Sequence, residues 1–299
     1  MDEALQPINV QSAKQKMKSY SGNPLSLILA ALVGLSALIT VLTLVFIIGY
    51  ILIKGIPNLS LDLFQLEYNS ENVSMFPSII NTICMTVLSL LIAGPLGILA
   101  AVYLVEYAKK GNKLVSVIRI TAETLTGIPS IVYGLFGMLF FVTTLKWGFS
   151  MLAGAFTLAI MVLPVIMRTT EEALLSVPDM YREASFGLGA GKLRTIFVVI
   201  LPSAVPGILS GVILSIGRIV GETAALMYTA GTVAELPSSV MSSTRTLSVH
   251  MYALSNEGLY INQAYATAVV LLLIVLFINW VSGRIARKIK PANKKSRLN

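Results

Sequence analysis

The sequence contains little charge, one cysteine and one histidine, and these shortages exclude several classes of protein. Only 12% of its 299 residues are Asp, Glu, Lys or Arg, whereas a soluble domain carries about a quarter. Cys84 cannot form an intramolecular disulfide, and with His250 as the one histidine no Cys or His metal cluster is expected. The first apolar run begins near Pro24 and is too long for a signal peptide, so we expect it to remain as a membrane anchor.

The sequence also lacks the motifs of nucleotide-binding and hydrolytic sites. It contains no G-x-x-x-x-G-K-[ST] loop, H-E-x-x-H pair, G-x-S-x-G elbow or kinase signature. Glu171 and Glu172 are adjacent, but neighbours on a helix point about 100° apart and do not form a carboxylate dyad. We therefore expect no catalytic residue, no metal and no cofactor bound by this chain. Any uphill transport would take its energy from another protein or from an ion gradient.

Long apolar runs make up much of the chain, and 56% of its residues are hydrophobic. A helix needs about 20 apolar residues to cross the hydrocarbon core of a membrane. About six stretches meet this length, near residues 25–53, 76–105, 119–145, 151–167, 201–230 and 263–283. The third contains several helix-weakening residues, Gly127, Pro129, Gly134 and Gly137. They predict a kinked or broken helix packed against protein, within an all-α membrane fold.

Lysine and arginine are concentrated in alternate loops. They cluster before the first span, after the second, after the fourth and after the last, whereas residues 54–75 and 231–262 are richer in acids. Because cytoplasmic loops are enriched in Lys and Arg, we predict a multi-pass inner-membrane protein with both termini cytosolic. The net charge of +8 is then assigned to this bias and not to nucleic-acid binding. For the basic tail, positive-inside anchoring is favoured over specific binding of anionic membrane lipid.

The predicted cytosolic loop at residues 168–202 has the features of a compact docking knob. Asp179 predicts an N-cap, and a short helix would follow through Phe186. Glycines would then end that helix and turn the chain, at Gly187, Gly189 and Gly191. The small Ala184 and Ser185 would let it enter a groove. The alternative interpretation is an ordinary interfacial helix that links two spans.

The same loop resembles the EAA loop of binding-protein-dependent ABC importer permeases, whose pattern is E-A-A-x₃-G-x₉-I-x-L-P. The sequence keeps every spacing, with Glu183-Ala184-Ser185, Gly189 and Val199-Ile200-Leu201-Pro202, and departs from the pattern at Ser185 and Val199. The resemblance covers roughly residues 75–283 and implies the type I, MetI-like permease fold. It also implies that Glu183 and its neighbours dock on a separate ATP-binding subunit.

These patterns divide the chain into four segments. They are a cytosolic tail at 1–24, a first transmembrane helix with its outer loop at 25–74, the importer transmembrane domain at 75–283 with the coupling loop at 168–202, and a basic cytosolic tail at 284–299. The outer loop at 231–262 is expected to meet a delivering binding protein, partly as a re-entrant segment.

The fifth span contains charged residues within an apolar sequence. Arg218 lies twelve residues after Pro206, about 18 Å along a helix, and so past the middle of a core of about 30 Å. A charge there costs about 2.5–3.5 kcal/mol. Glu222 is one helical turn on, so a structural ion pair is one interpretation. The other is an anion path in which the Arg218 fork binds an oxyanion, Glu222 positions it and Thr223 adds a hydroxyl.

Arg168 is the other cation that could face a transport path. It follows the apolar run Met151–Met167, which spans about 25 Å as a helix and places Arg168 at the inner boundary. Its side chain would either snorkel to the interface or guard the exit of an anion path. Glu123 is interpreted as interfacial, and His250 as a surface or packing residue of the outer loop.

Further segments resemble phosphate importer permeases, namely Ile216–Leu226, Pro129–Gly137 and Arg168–Leu174. They are more similar to the PstA subunits of that family than to the PstC subunits. The resemblance implies a four-part importer with a PstC-like second permease, a PstB-like ATPase dimer that holds ATP and Mg²⁺, and an extracytoplasmic PstS-like phosphate-binding protein. The residues alone support an anion path and do not choose phosphate over sulfate or an organic anion.

A stand-alone secondary transporter is the rival interpretation, with Glu222 as a proton carrier. The docking loop discriminates between the two, because a proton-coupled carrier has no need for such a knob. A structural scaffold is a third possibility, in which Arg218 would have no role in transport.

Overall fold

Helices form the regular structure of the chain in a computed structural model that describes residues 24–109 and 111–289, with side chains through residue 284. Every regular element within these residues is helical, which confirms the all-α prediction. The predicted tail at 1–24, apart from Pro24, and residues 290–299 of the second tail lie outside the described residues.

Five helices are long and apolar enough to cross a membrane: α1 (Pro24–Gly55), α2 (Phe76–Tyr107), α5 (Met151–Leu175), α7 (Lys192–Gly221) and α10 (Ile261–Ile289). Helices α3 (Lys113–Thr126) and α4 (Ser130–Thr144) pass the same test only as a pair bent by 103°. The described residues therefore hold up to six spans, as the apolar runs predict. Shorter helices are α6 (Asp179–Gly187), α8 (Ala224–Met227) and α9 (Leu247–Glu257).

The chain divides into two units, residues 1–53 and 54–299. Most of α1 belongs to the first unit, and its side chains are largely apolar and exposed. All of the other helices belong to the second unit.

Helix α5 forms the centre of the second unit and packs against α2 and α7. Its fully buried side chains include Leu158, Met161 and Ile166. Glycines bring the neighbouring backbones close, since a Cβ at Gly97 of α2 would lie 3.0 Å from Ile166 Cγ2. Small residues serve this purpose in membrane proteins because packing, and not the hydrophobic effect, holds helices together in lipid.

The predicted break in the third span lies between α3 and α4. Pro129 precedes α4 and disfavours a helical conformation for the residue before it, and the chain turns over Gly127–Pro129. Helix α4 then packs against α8. A Cβ at Gly134 would lie only 2.8 Å from the Cα of Ala225, so glycine is required for this contact.

The predicted fifth span at 201–230 is wrong at its far boundary, because α7 ends at Gly221. Glu222 has an extended backbone with φ −73° and ψ 129°, and the separate short helix α8 follows. The apolar composition continues through residue 230, so the apolar run alone could not reveal this break.

Replacing Gly134 by alanine is expected to destabilise the fold. The new methyl group would meet the Ala225 backbone, which cannot rotate away, and overpacking of this kind costs about 1–3 kcal/mol. The matched control is Gly217→Ala in α7, where no atom lies within 4 Å of the Cβ position. Heating of the detergent-solubilised protein, followed by size-exclusion of the folded fraction, measures both variants. Equal midpoints would contradict the close α4–α8 contact.

Candidate functional site

The two ends of α2 carry different parts of the second unit. Glu106 in the last turn of α2 binds Arg182 of α6. The knob, which is residues 178–191, therefore lies at that end. At the other end, Asn81 Nδ2 donates to the backbone oxygen of Arg245. We call these the knob end and the far end of the bundle.

Arg182 anchors the knob to the bundle. Its Nε and Nη2 donate to Glu106 Oε1 at 3.1 and 2.8 Å, and its remaining contacts are the carbonyls of Leu174 and Val177 and the carboxylate of Asp179. The side chains of Arg182 and Glu106 are only 16% and 9% exposed. Removing one partner of a pair that is shielded from water is strongly destabilising, because it leaves the other charge uncompensated. Helix α6 is therefore fixed to both α2 and the end of α5.

Asp179 is not the N-cap that the sequence suggests. Pro178 occupies the cap position and Asp179 is the first helical residue, with its carboxylate on Arg182 at 3.1 Å. The predicted end of the helix is confirmed, since α6 stops at Gly187 and Gly189 adopts φ +82°.

The predicted coupling residues do not form one cluster. Glu183 and Ala184 are exposed on α6, and Ser185 shares a hydrogen bond of 2.8 Å with Thr195. Leu201 and Pro202 instead lie within α7, about 14 Å from its start at Lys192. The exposed surface of the knob is completed by the apolar side chains of Met180, Phe186 and Leu188.

A second charge network joins α3 to α5 at the knob end. Arg168 lies 3.3 Å from both Glu123 and Glu172, and Arg119 pairs with Glu171. A cavity of about 270 Å³ lies among these side chains. The exposed Arg168 is thus neutralised by two acids, and Glu123 contributes to its ion pair. Glu171 and Glu172 bind different cations, in agreement with their predicted divergence.

Arg218 is held one turn before the end of α7. Its side chain is half-buried, and no carboxylate of the described residues lies at ion-pair distance from it. The Tyr133 hydroxyl of α4 donates to the Leu125 carbonyl at 2.8 Å and is not a partner of Arg218. Arg218 is therefore a cation with free hydrogen-bonding capacity inside the bundle.

Glu222 does not pair with Arg218, because α7 ends between them and the expected spacing of one helical turn is lost. Its Oε1 instead accepts a hydrogen bond of 3.0 Å from Ala225 N and caps α8. Its backbone oxygen accepts from Ser248 Oγ of α9. Thr223 Oγ1 lies 3.4 Å from the Gly221 oxygen. The three predicted residues lie within six positions of the chain, and neither Arg218 nor Glu222 has an ion-pair partner among the described residues.

The break after α7 lies inside the bundle. Leu247 N at the start of α9 donates to Thr82 Oγ1 at 2.9 Å, and Thr82 lies six residues into α2, about 9 Å from its far end. Ser248 reaches Glu222 from this same turn of α9. The end of α7 therefore meets the start of α9 at this depth, and Arg218 lies about 4–5 Å deeper along α7.

Comparison with known proteins identifies the family. Residues 93–291 match the family described as binding-protein-dependent transport system inner membrane component. The chain belongs to this family. A probable ABC transporter permease, YqgI of Bacillus subtilis, is 35% identical over 86% of this chain and 94% of its own length. The phosphate transport system permease protein PstA of Haemophilus influenzae is 33% identical over 89% of this chain and 95% of its own.

A solved structure supports the same fold. The inward-facing MetNI methionine ABC transporter matches 72% of this chain and 94% of its own chain, with a TM-score of 0.57 at 22% identity. The predicted MetI-like importer permease fold is therefore confirmed, and membership of an inner-membrane family agrees with the multi-pass prediction.

The sequence analysis missed the Arg182–Glu106 pair. The two residues are 76 positions apart, so no helical spacing connects them. One signal was present: Glu106 is an acid that follows a long apolar run, and a charge at such a boundary requires a partner if it is shielded from water.

The cap on α8 yields a test of the role of Glu222. Glu222→Gln retains an acceptor for Ala225 N and should preserve stability, whereas Glu222→Ala should cost about 1 kcal/mol. Thermal unfolding of the purified variants measures the difference. If Gln is as damaging as Ala, the charge of Glu222 and not its cap is what matters.

Proposed function

We propose that the chain is the membrane-spanning permease subunit of an ATP-driven ABC importer and that its cargo is inorganic phosphate. The observation that carries this proposal is the unpaired, half-buried Arg218 at the break of α7. Relatives named as phosphate transport permeases support the choice of cargo.

Arg218 has the chemistry that this cargo needs. A guanidinium offers parallel N–H donors that match the oxygens of a phosphate, and it remains charged at every physiological pH. An oxyanion that leaves water must exchange its hydration for such donors. Because Glu222 is engaged in capping α8, Arg218 is free to bind the cargo directly. Sulfate presents similar oxygens, so a permease for another oxyanion is the neighbouring alternative.

The partners follow from the family and from the knob. The knob end would face the cytosol together with both termini, and exposed Glu183 and its apolar neighbours would enter a cleft of a PstB-like ATPase dimer. ATP and Mg²⁺ would be held there and not by this chain. A PstC-like permease would complete the path, and a PstS-like protein would deliver phosphate to the opposite face.

Arg182 would transmit the movement of the ATPase. Because it binds Glu106 of α2 and the carbonyls at the end of α5, a push on α6 would reach two central helices at once. The ion pairs between α3 and α5 lie beside this point of entry and could separate when the knob end opens. Alternating access around Arg218 would follow from these movements.

Phosphate uptake should depend on Arg218. In cells that lack their own permease, Arg218→Gln is expected to reduce uptake of ³²P-phosphate at low external concentration by at least about tenfold, since a charged bidentate contact is lost. Arg284→Gln is the matched control, because Arg284 is exposed and stacks on Trp280. Membrane levels of the variants are compared first. Full uptake by Arg218→Gln would make Arg218 structural. If neither the wild-type chain nor any variant supports phosphate uptake, phosphate is excluded as the cargo.

Breaking the Arg182–Glu106 pair should uncouple hydrolysis from transport. We expect Arg182→Glu and Glu106→Arg each to reduce uptake per ATP hydrolysed in the reconstituted complex, while the basal ATPase persists. The double exchange should recover part of the coupling, because it restores opposite charges at the same positions. Arg194→Glu, a charge reversal without an ion-pair partner among the described residues, controls for surface charge. Normal coupling in both single variants would remove Arg182 from the transmission route.

A further inference from the structure

Arg245 at the far end is buried without a counter-charge. It is 5% exposed, and its Nε and Nη2 are enclosed without an acceptor. No carboxylate among the described residues lies at ion-pair distance from it. The backbone on both sides of the side chain is fixed, since Arg245 N donates to the Val233 oxygen at 2.9 Å and its own oxygen accepts from Asn81.

The two unsatisfied nitrogens share one edge of the guanidinium. Nε and Nη2 project their hydrogens in parallel, which is the geometry that grips two oxygens of a carboxylate or phosphate. Arg182 in the same chain uses this edge to hold Glu106. A buried ion that lacks such a partner is strongly destabilising. The Nε–Nη2 edge of Arg245 thus has the donor geometry that suits an oxyanion and no acceptor among the described residues.

The side chains next to the Arg245 guanidinium are an aromatic ring and a neutral imidazole. The Tyr68 ring lies 4.7 Å from Cζ, and the His250 ring meets Tyr68 edge-on at 6.1 Å. Burial, together with the charge of Arg245, lowers the pKa of His250 to about 3, so this imidazole is neutral. Unsatisfied hydroxyls of Ser78 and Thr244 lie on the segments that hold Arg245.

Tyr68, which stacks on Arg245, also lines an open cavity. This cavity, about 370 Å³ in volume, is lined by Tyr68 and by the exposed Glu67 and Glu235. Neither acid is within ion-pair distance of Arg245. Tyr68 thus contacts both the Arg245 guanidinium and the open cavity.

We propose that the Nε–Nη2 edge of Arg245 is a second oxyanion-binding site, which receives the cargo at the far end before it passes to Arg218. Arg245 immediately precedes the N-cap of α9, and Ser248 in the first turn of α9 binds the residue that follows α7. The two arginines thus flank a single junction of helix ends. The start of α9 adds its positive dipole to the Arg245 side. The identity of the cargo as phosphate rests on the proposed function; the oxyanion chemistry of the site does not.

Equilibrium binding of ³²P-phosphate to the assembled permease–ATPase complex in nanodiscs, without the soluble binding protein, tests this site. Wild type should show binding that Arg245→Gln weakens by about tenfold or more, and Arg245→Lys should weaken it less, because a charge remains but the paired donors are lost. Arg284→Gln should bind as wild type. Unchanged affinity in Arg245→Gln, with loss confined to Arg218→Gln, overturns the inference and leaves the proposed function intact.

Two further arms keep the test decisive. Tyr68→Trp places a fluorescent ring over Arg245 and leaves Arg245 itself unchanged. This measurement therefore does not depend on whether Arg245→Gln folds. Its emission, relative to the Tyr68 parent, should change on addition of phosphate, and no change at saturating phosphate overturns the site. Sulfate is titrated in parallel: Arg245-dependent binding of sulfate without phosphate supports the site and removes phosphate as the cargo.

Discussion

A polypeptide surrounded by lipid has to satisfy its backbone hydrogen bonds from within, and this constraint governs where the helices of this chain can break. The break after Gly221 is tolerated because side chains replace the missing helical partners. The Glu222 carboxylate receives Ala225 N, Ser248 Oγ binds the Glu222 oxygen, and Thr82 Oγ1 receives Leu247 N. Three separate segments therefore meet at one point, and Arg218 lies one turn below it. The hydrogen bonds that satisfy the backbone at this break are thus the same contacts that bring the three segments together near Arg218.

Five arginines of the second unit, apart from the exposed Arg194 and Arg284, differ in whether they are paired with an acid. At the knob end, Arg119, Arg168 and Arg182 all bind carboxylates on neighbouring helices, so their charges serve to join elements. Arg218 and Arg245 lie more deeply enclosed than Arg168 and yet have no carboxylate among the described residues. An unpaired charge in a poorly hydrated place costs free energy that a structural role would not recover. A bound anion would offset this free-energy cost, which is the reason for proposing that these two arginines bind the cargo.

The sequence predicted the spans and the knob well, and the charge partners poorly. Apolar run lengths and glycine–proline clusters are local signals, so the six candidate spans, the break near Pro129 and the turn at Gly189 could all be read directly. The Arg218–Glu222 pair failed because helical spacing was extended through a break that no change in hydropathy marks. The Arg182–Glu106 pair and the burial of Arg245 depend on contacts between segments far apart in the chain. Such contacts are set by packing, which local patterns do not encode.

Helix α2 connects the two ends of this arrangement. Glu106 in its last turn holds Arg182, while Asn81 and Thr82 near its start hold the Arg245 oxygen and the first residue of α9. These contacts are separated by about 38 Å of helix, packed along α5 and α7. A helix supported in this way moves as a body or bends at a weak point, which here is Pro95. In the proposed mechanism, a push on Arg182 would reach the turn next to Arg245 through this one helix. One helix thus contributes a hydrogen-bonding side chain at the knob and another at the turn next to Arg245, which is the link that the proposed coupling requires.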